Sequence, residues 1–307
     1  MILNQRHLRI ALLLSAAAAC TRGEGDLPDD GEGTQSETDE LIGGSVMKKQ
    51  YPATLTILGG CTATKIAPRR LITAAHCVEG NSSLMAIGSQ ISLVNQAGRS
   101  SAPKQTQVVT IASIDIDSER LKQCSRGECL QIGAGGTTSD VAVITTKESL
   151  TSFPASVSID LTDVAAGVSS AVVGSGCETS VADARSFDYD LRRLKFGVSP
   201  IVSVSNAYHA NSQFSWAFPD RKVVDSFLIF TSGPGARAGA FGLCPGDSGG
   251  PLYRSGTNKL IGINATYIFL NAFDLPYTNG FTRLSSKALV ERFWSKFSDV
   301  TFERPSK

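Results

Sequence analysis

The chain has 307 residues, 42% of them hydrophobic, and 29 basic against 28 acidic side chains. That length and hydrophobic content can bury one large core or two smaller ones, which excludes a disordered chain and one that is membrane-spanning throughout. The basic residues are scattered without basic-aromatic clusters, so the sequence predicts no nucleic-acid partner. None of the seven cysteines shows a zinc-type Cys-x-x-Cys spacing, and we expect no metal and no cofactor.

The first 19 residues have the pattern of a secretory signal peptide. Arg6, His7 and Arg9 form a basic start, an apolar run follows from residue 10, and small residues close the segment at 15–19. The apolar run is about half as long as a bilayer-spanning helix requires. We therefore expect an exported protein, secreted, periplasmic or at the cell surface.

Cys20 stands directly after this signal, where a bacterial lipoprotein carries its lipidated cysteine. Setting it aside leaves six cysteines, an even number that suits disulfides in an exported protein. Lipid on Cys20 would attach the protein to a membrane. Ala17, however, stands where lipoprotein signals usually have leucine, so an ordinary cysteine in a simply secreted chain is the alternative.

Residues 20–40 are predicted to form an acidic, disordered tether or propeptide. Eight Asp or Glu side chains face only Arg22, and apolar residues almost vanish. The chain from Leu41 onward keeps 26 basic and 20 acidic residues, which is a net charge near +6. We predict that residues 41–307 form the folded domain.

After residue 40, short apolar runs rich in β-branched residues alternate with Gly, Ser, Asn and Pro. The clearest runs are ATLTIL, VAVITT, SSAVVG, FLIF and LIGINATYI. Such runs predict antiparallel strands in a sandwich or barrel. One helix is predicted near the C terminus, behind a Ser285 or Ser286 cap. Its apolar stripe at helical spacing consists of Leu289, Val290, Phe293, Trp294 and Phe297.

The segment CPGDSGGPL, Cys244–Leu252, places a serine between glycines. Part of it satisfies Gly-x-Ser-x-Gly, the nucleophile turn of α/β-hydrolases, but that class requires a histidine after the serine. The three histidines, His7, His76 and His209, all precede Ser248. Chain order therefore excludes that class, and a glycine-rich turn with an incidental serine is the alternative.

A serine nucleophile needs a base, and the base needs an orienting partner. His76 follows the strand-like run LIT, whereas His209 lies in a polar, turn-like context, so we predict His76 as the base. Asp140 is a lone carboxylate directly before VAVITT, and an unpaired acid is costly to bury there. Asp115 and Asp117 lie in the charged stretch IDIDSER. We therefore predict Asp140 as the orienting acid, with a strand-capping role as its alternative.

Four segments in this order resemble the trypsin-like serine proteases of the chymotrypsin fold. They are LIGG from Leu41, TAAHC from Thr73, DVAV from Asp140 and GDSGGPL from Gly246, and the resemblance extends to about Lys307. It implies an all-β fold of two antiparallel six-stranded β-barrels with a C-terminal α-helix. It also implies a serine endopeptidase that acts on protein or peptide substrates through an acyl-enzyme.

In that resemblance, Ser248 attacks the peptide carbonyl, His76 takes and returns the proton, and Asp140 holds the histidine tautomer. The backbone N–H groups of Gly246 and Ser248 would form the oxyanion hole. A side chain at Gly246 would disfavour the backbone geometry that points its N–H inward.

The resemblance also implies a zymogen. Cleavage after Glu40 would free the amine of Leu41, which would pair with Asp247. The family usually presents Lys or Arg before this cut, and Glu40 departs from that pattern. The expected activating partner is therefore a protease that cuts after Glu40.

Three disulfides are expected from the resemblance and from the cysteines that remain. Cys61–Cys77 would match the bridge beside the catalytic histidine. Cys177 would pair with Cys244, which lacks the family's usual partner after the serine. Cys124–Cys129 would close an insertion loop.

Gly242 stands six residues before Ser248, where trypsin has an aspartate at the floor of its specificity pocket. A preference for Lys or Arg is therefore not expected. Tyr267 and Asn279 are predicted to line the pocket, which favours a small or medium uncharged residue. Autolytic cutting at Glu40 would instead indicate a preference for acidic residues.

A catalytically silent relative that binds a protein partner is the alternative from a different functional class. Silent relatives usually lack one triad member. Since His76, Asp140 and Ser248 are all present, the sequence favours the enzyme.

Overall fold

The computed structural model describes residues 44–46, 50–58, 60–79, 85–95, 104–125, 139–153, 156–176, 194–210, 221–234, 240–268 and 278–305. All of them belong to one structural unit, Thr38–Lys307. Within these ranges no helix is long and apolar enough to cross a membrane.

A two-residue strand, β1 (Ser45–Val46), precedes the first barrel. Six antiparallel strands then close that barrel in the order β2-β3-β4-β7-β6-β5. They are β2 (Thr54–Ile57), β3 (Cys61–Ala67), β4 (Arg70–Thr73), β5 (Gln90–Asn95), β6 (Gln105–Ile116) and β7 (Ala142–Thr146). Two helices follow strands of this barrel, α1 (Ala75–Glu79) after β4 and α2 (Ser118–Ser125) after β6.

The second barrel is a ring in the order β12-β9-β10-β11-β14-β13, closed because β13 pairs back with β12. Its six strands are β9 (Ser169–Gly174), β10 (Lys195–Val202), β11 (Leu228–Ser232), β12 (Pro251–Arg254), β13 (Lys259–Ile268) and β14 (Thr278–Arg283). Helices α3 (Val204–Ala210) and α4 (Arg221–Phe227) come between β10 and β11.

Three short strands extend this ring. β1 pairs antiparallel with β10. β8 (Ser158–Asp160) runs parallel to β13, and β15 (Phe302–Glu303) runs parallel to β8. The prediction of two six-stranded antiparallel barrels is confirmed, and the five clearest apolar runs of the sequence each contribute a strand.

Because successive side chains of a strand point to opposite faces, one strand can contribute to two hydrophobic cores. Ala142 and Ile144 of β7 point into the first barrel, whereas Val141 and Val143 pack into a core between the barrels. Both faces of the strand are therefore buried, which explains why VAVI reads as a continuous apolar run. Tyr51 and Tyr253 stack across this inter-barrel core with ring centroids 4.6 Å apart.

The predicted C-terminal helix is confirmed and is short. Helix α5 spans Lys287–Arg292, and a 3₁₀ turn, Trp294–Lys296, continues it. Ser286 is the N-cap residue, but its side chain makes no capping hydrogen bond. Phe293 is buried in the inter-barrel core, and the Trp294 indole donates to the Leu284 carbonyl at 2.9 Å. This C-terminal segment therefore packs against the inter-barrel core.

Candidate active site

Strand register brings distant parts of the chain to one edge of the first barrel. Thr73, the last residue of β4, pairs with Ala142, the first residue of β7. Ile116, the last residue of β6, pairs with that same alanine from the other side. His76 follows β4 by three residues and Asp140 precedes β7 by two, so the antiparallel pairing places both at this edge.

His76 and Asp140 form a close pair through two contacts. The Nδ1 atom of His76 lies 2.6 Å from Asp140 Oδ2, and the His76 backbone N–H donates to Oδ1 at 3.0 Å. The Asp140 side chain is 3% exposed, while that of His76 is 30% exposed. Thr282 of the second barrel donates its hydroxyl to the Asp140 carbonyl at 3.0 Å. The aspartate is thus buried and oriented, and the imidazole is partly exposed to solvent.

The two groups shift each other's titration. Burial alone would raise the pKa of Asp140, but the adjacent His76 and Arg120 charges and the hydrogen bonds from His76 hold that pKa well below its usual range. Burial lowers the pKa of His76, but the Asp140 carboxylate outweighs this and raises that pKa above its ordinary value of 6.5. Asp140 therefore stays ionised and can stabilise a protonated imidazole.

Ser248 lies in the loop before β12 and packs against the helix of His76. The Thr62 backbone N–H of β3 donates to the Ser248 carbonyl oxygen at 2.8 Å. The Sγ atom of Cys77, the residue after His76, lies 3.7 Å from that same oxygen. Ser248 Oγ is not hydrogen-bonded to His76 in this structure, and such contacts often tighten only when substrate binds.

Gly246 and Gly249, on either side of Ser248, are needed for two different physical reasons. Gly246 has a φ of +100°, which L side chains rarely adopt, and its carbonyl accepts a hydrogen bond from the Thr62 hydroxyl at 2.9 Å. Among the described residues, neither the Gly246 nor the Ser248 N–H donates to another protein group. A Cβ on Gly249 would lie 2.0 Å from Thr73 Oγ1, so the loop passes the first barrel with no space for a side chain.

A family model described as Trypsin matches residues 42–272, well over half of the chain. The chain belongs to the trypsin family. It therefore has the family's two-barrel chymotrypsin fold and is a serine protease by family. No curated protein matches the chain.

Asn264 braces the loop of Ser248, and its role was not predicted from the sequence. Its side-chain amide donates to the carbonyls of Asp247 at 2.9 Å and Val173 at 3.3 Å. Its backbone also exchanges hydrogen bonds with Gly249 and Gly250. The available signal is a lone amide inside the apolar run LIGINATYI, because a buried polar side chain needs partners.

Asp247 is the buried carboxylate of this trypsin-family loop, at 1% exposure. Its Oδ1 accepts from the Gly176 backbone N–H at 2.7 Å and its Oδ2 from the Cys244 N–H at 3.0 Å. Leu41, its predicted partner, lies outside the described residues, so their ion pair stays a prediction.

One of the three predicted disulfides is confirmed in full: Cys61 and Cys77 are bonded at 2.03 Å. Cys244 is also disulfide-bonded, and its sulfur would lie 2.6 Å from a Cβ on Gly176. That glycine directly precedes Cys177, which lies outside the described residues. The Cys177–Cys244 pairing is consistent with this position and stays a prediction. Cys129, Cys20 and the side chain of Cys124 also lie outside.

Of the residues predicted to line the specificity pocket, the structure describes the Asn279 side chain but not that of Tyr267. The Asn279 amide donates to the Phe241 carbonyl at 3.0 Å, and its Oδ1 accepts from the Leu243 N–H at 2.9 Å. It therefore fixes the backbone on both sides of Gly242. Because Asn279 is 0% exposed, its side chain braces this backbone and faces no open space. A specificity pocket at Gly242 stays a prediction. The side chain of Tyr267 lies outside the described residues.

The stretch IDIDSER is more than a solvated charged segment. Asp117 is 1% exposed and binds the Arg292 guanidinium through two 2.8 Å hydrogen bonds. Arg120 is 3% exposed and lies 3.4 Å from Asp140 Oδ1. Nothing in the sequence pattern distinguishes these buried charges from exposed ones, because only the fold brings their partners to them.

Proposed function

We propose that the protein is a serine endopeptidase with Ser248 as nucleophile, His76 as general base and Asp140 as the orienting acid. The observation that carries the proposal is the 2.6 Å contact between His76 Nδ1 and Asp140 Oδ2 beside the loop of Ser248. A hydroxyl is a weak nucleophile near neutral pH, and an adjacent imidazole held in one tautomer activates it.

The proposed reaction uses these groups in turn. Ser248 Oγ attacks the carbonyl carbon of the peptide bond while His76 Nε2 takes its proton. The tetrahedral oxyanion accepts hydrogen bonds from the N–H groups of Gly246 and Ser248. His76 then protonates the leaving amine and an acyl-enzyme ester remains. Water, deprotonated by the same imidazole, releases the acid and restores Ser248.

The proposal includes activation by cleavage between Glu40 and Leu41. Val46 of β1 pairs with Lys195 of β10, and that lysine pairs with Gly174 of β9. A Cβ on Gly174 would lie 2.0 Å from Asp247 Oδ1, so β1 lies two strands from the carboxylate. Four residues extend at most about 14 Å, which gives an amine at residue 41 a short path to Asp247. The new ammonium would stabilise the buried carboxylate. It would also order residues 246–248, which carry the two N–H groups of the oxyanion hole.

The proposal also includes export and an unidentified activating protease. If Cys20 carries lipid, the chain is held at a membrane through residues 20–40. Its sulfur is then consumed in a thioether and cannot form a disulfide to the folded domain. The cut that activates the enzyme would therefore also release it.

The test is hydrolysis of a peptide library by the Leu41 form of the wild type, Ser248→Ala, His76→Ala and the double variant. Each single variant should lower kcat by roughly 10⁶-fold, and the double variant should be no slower, because the two residues act as one unit. A double variant far slower than either single one would refute the shared proton relay. A folded wild type that cleaves nothing would support the silent, partner-binding alternative.

A further inference from the structure

Arg120 is a buried arginine between two carboxylates at the edge that carries His76. Its Nε donates to Glu79 Oε1 at 2.9 Å and its Nη2 donates to Glu79 Oε2 at 2.8 Å. The same Nη2 lies 3.4 Å from Asp140 Oδ1. Glu79 is the last residue of α1, the helix that contains His76. The guanidinium therefore joins the end of the histidine helix to the orienting acid.

The helix that carries Arg120 is itself anchored. Asp117, the residue before α2, binds the guanidinium of Arg292 through both carboxylate oxygens at 2.8 Å. Arg292 is the last residue of α5, which packs on the inter-barrel core. A planar guanidinium on a fixed helix presents its donors in one direction, which an ammonium on a flexible stem does not.

The Asp140 carboxylate is held at both oxygens. Its Oδ2 contacts His76 Nδ1, and its Oδ1 accepts the His76 backbone N–H and faces Arg120. Rotation of the carboxylate would break one of these contacts. Loss of Arg120 would leave Oδ1 with the backbone hydrogen bond as its one remaining contact among those described here.

We propose that Arg120 is a positioning residue for the proposed reaction: it clamps Glu79 to Asp140 and so fixes the carboxylate that orients His76. The inference rests on the proposed function for its kinetic consequences. The effect of Arg120 on the titration of His76 is measurable without catalysis.

The clamp also brings charges of both signs to the imidazole. Among the described residues, the charged groups that act on His76 are Asp140 before β7, Arg120 on α2 and Glu79 on its own helix. Burial lowers the pKa of His76, the two carboxylates raise it, and Arg120 lowers it. Removing Arg120 should therefore raise the pKa of His76, and neutralising Glu79 should lower it.

The first experiment titrates the His76 ring protons by NMR in the full chain with the Ser248→Ala background. Only three histidines are present, so His7→Gln and His209→Gln variants assign the signals. Arg120→Met should move the His76 midpoint to higher pH, Glu79→Gln to lower pH, and the double variant should return it toward the starting value. Because the background is inactive by design, failure of the proposed function does not affect this result.

The second experiment measures kcat and KM for the same substitutions in the active chain. Arg120→Met should lower kcat by roughly 10- to 100-fold with KM little changed, which is the effect of a misplaced catalytic group. Arg120→Lys should keep the His76 midpoint, because it keeps the charge, while kcat still falls. Arg254→Met is the matched control, since Arg254 pairs with the equally buried Asp160 and neither group acts on the titration of His76.

Midpoints that do not move in Arg120→Met or Glu79→Gln would overturn the proposal, as would shifts of the same sign. A kcat loss in Arg120→Met no larger than in Arg254→Met would reduce Arg120 to a structural ion pair. If Arg120→Met does not fold, Glu79→Gln alone decides, because its predicted shift has a definite sign.

Discussion

The Asp140 carboxylate lies between the imidazole of His76, which contacts its Oδ2, and the guanidinium of Arg120, which faces its Oδ1. Asp140, 3% exposed, remains ionised because His76 and Arg120 compensate for its burial. A buried acid that lost these partners would instead take up a proton. His76, the base of the proposed reaction, therefore depends on the groups that keep Asp140 ionised, and Arg120 is one of them.

The pH dependence of activity follows from the raised pKa of His76. The base must be neutral to accept the Ser248 proton, so kcat/KM should rise with pH through a midpoint above 6.5. Asp140→Asn removes the group that raises this pKa, so the midpoint should move to lower pH while kcat falls about 10⁴-fold. The check is the pH profile of kcat/KM for both chains. A wild-type midpoint below 6.5 would contradict the assignment.

Residue chemistry alone finds part of this site. Asp140 can be predicted because a lone acid directly before a buried strand needs a partner, and His76 because it follows an apolar run. Arg120 and Asp117 cannot, because a charged stretch looks the same whether it is solvated or buried. Only the ion pairs that the fold forms, Arg120 with Glu79 and Asp117 with Arg292, separate the two cases.

At the scale of elements, register assembles the site. Three strand ends meet at Ala142, which aligns β4, β6 and β7 and carries three chain segments to one edge. The apolar runs predict the strands because their residues face two buried cores. Register and barrel closure depend on contacts between runs far apart in sequence, so periodicity does not supply them; here the family resemblance does.

Alanine at Gly249, in the loop of Ser248, should lower the free energy of unfolding much more than alanine at Gly256. Gly249 has φ +79° and a Cβ there would lie 2.0 Å from Thr73 Oγ1 and 2.4 Å from the Thr62 carbonyl. Gly256 has a similar φ of +72° with nothing within 4 Å, so it is the matched control. Gly256→Ala should cost about 1–2 kcal/mol of unfolding free energy from backbone strain alone. Gly249→Ala should cost more and abolish activity.

Urea unfolding of both variants measures this difference, with circular dichroism as the probe. Equal losses of unfolding free energy would show that the loop has room beside the first barrel. That result would contradict the close approach on which the position of Ser248 depends.

At the scale of the whole molecule, the site depends on contacts between the barrels. The first barrel holds Ser248 through the Thr62 N–H, and the second holds Asp140 through the Thr282 hydroxyl. The motif order in the sequence carries the resemblance to the trypsin family, and that resemblance implies the two barrels. The substrate and the activating protease do not, because Glu40 and Gly242 depart from the family pattern that would indicate them.

The proposed activation would link the acidic segment to residues 246–248, which carry the predicted oxyanion-hole N–H groups. Glu40→Pro should resist the cut before Leu41, so Asp247 should lack its ammonium partner and the loop should stay unproductive. Asp247→Asn should be cut normally and still be inactive, since an amide does not attract the Leu41 ammonium. Full activity in the uncut Glu40→Pro chain would exclude the zymogen mechanism.

The most direct measurement is the covalent adduct of a serine-directed phosphonate, mapped by mass spectrometry on the wild-type chain after cleavage before Leu41. The reagent bonds only to a serine that a neighbouring base activates, so the adduct should lie on Ser248. It should be absent in His76→Ala and form far more slowly in uncut Glu40→Pro. A folded Leu41 form with no adduct, or with the adduct on another residue, would contradict Ser248 as the nucleophile.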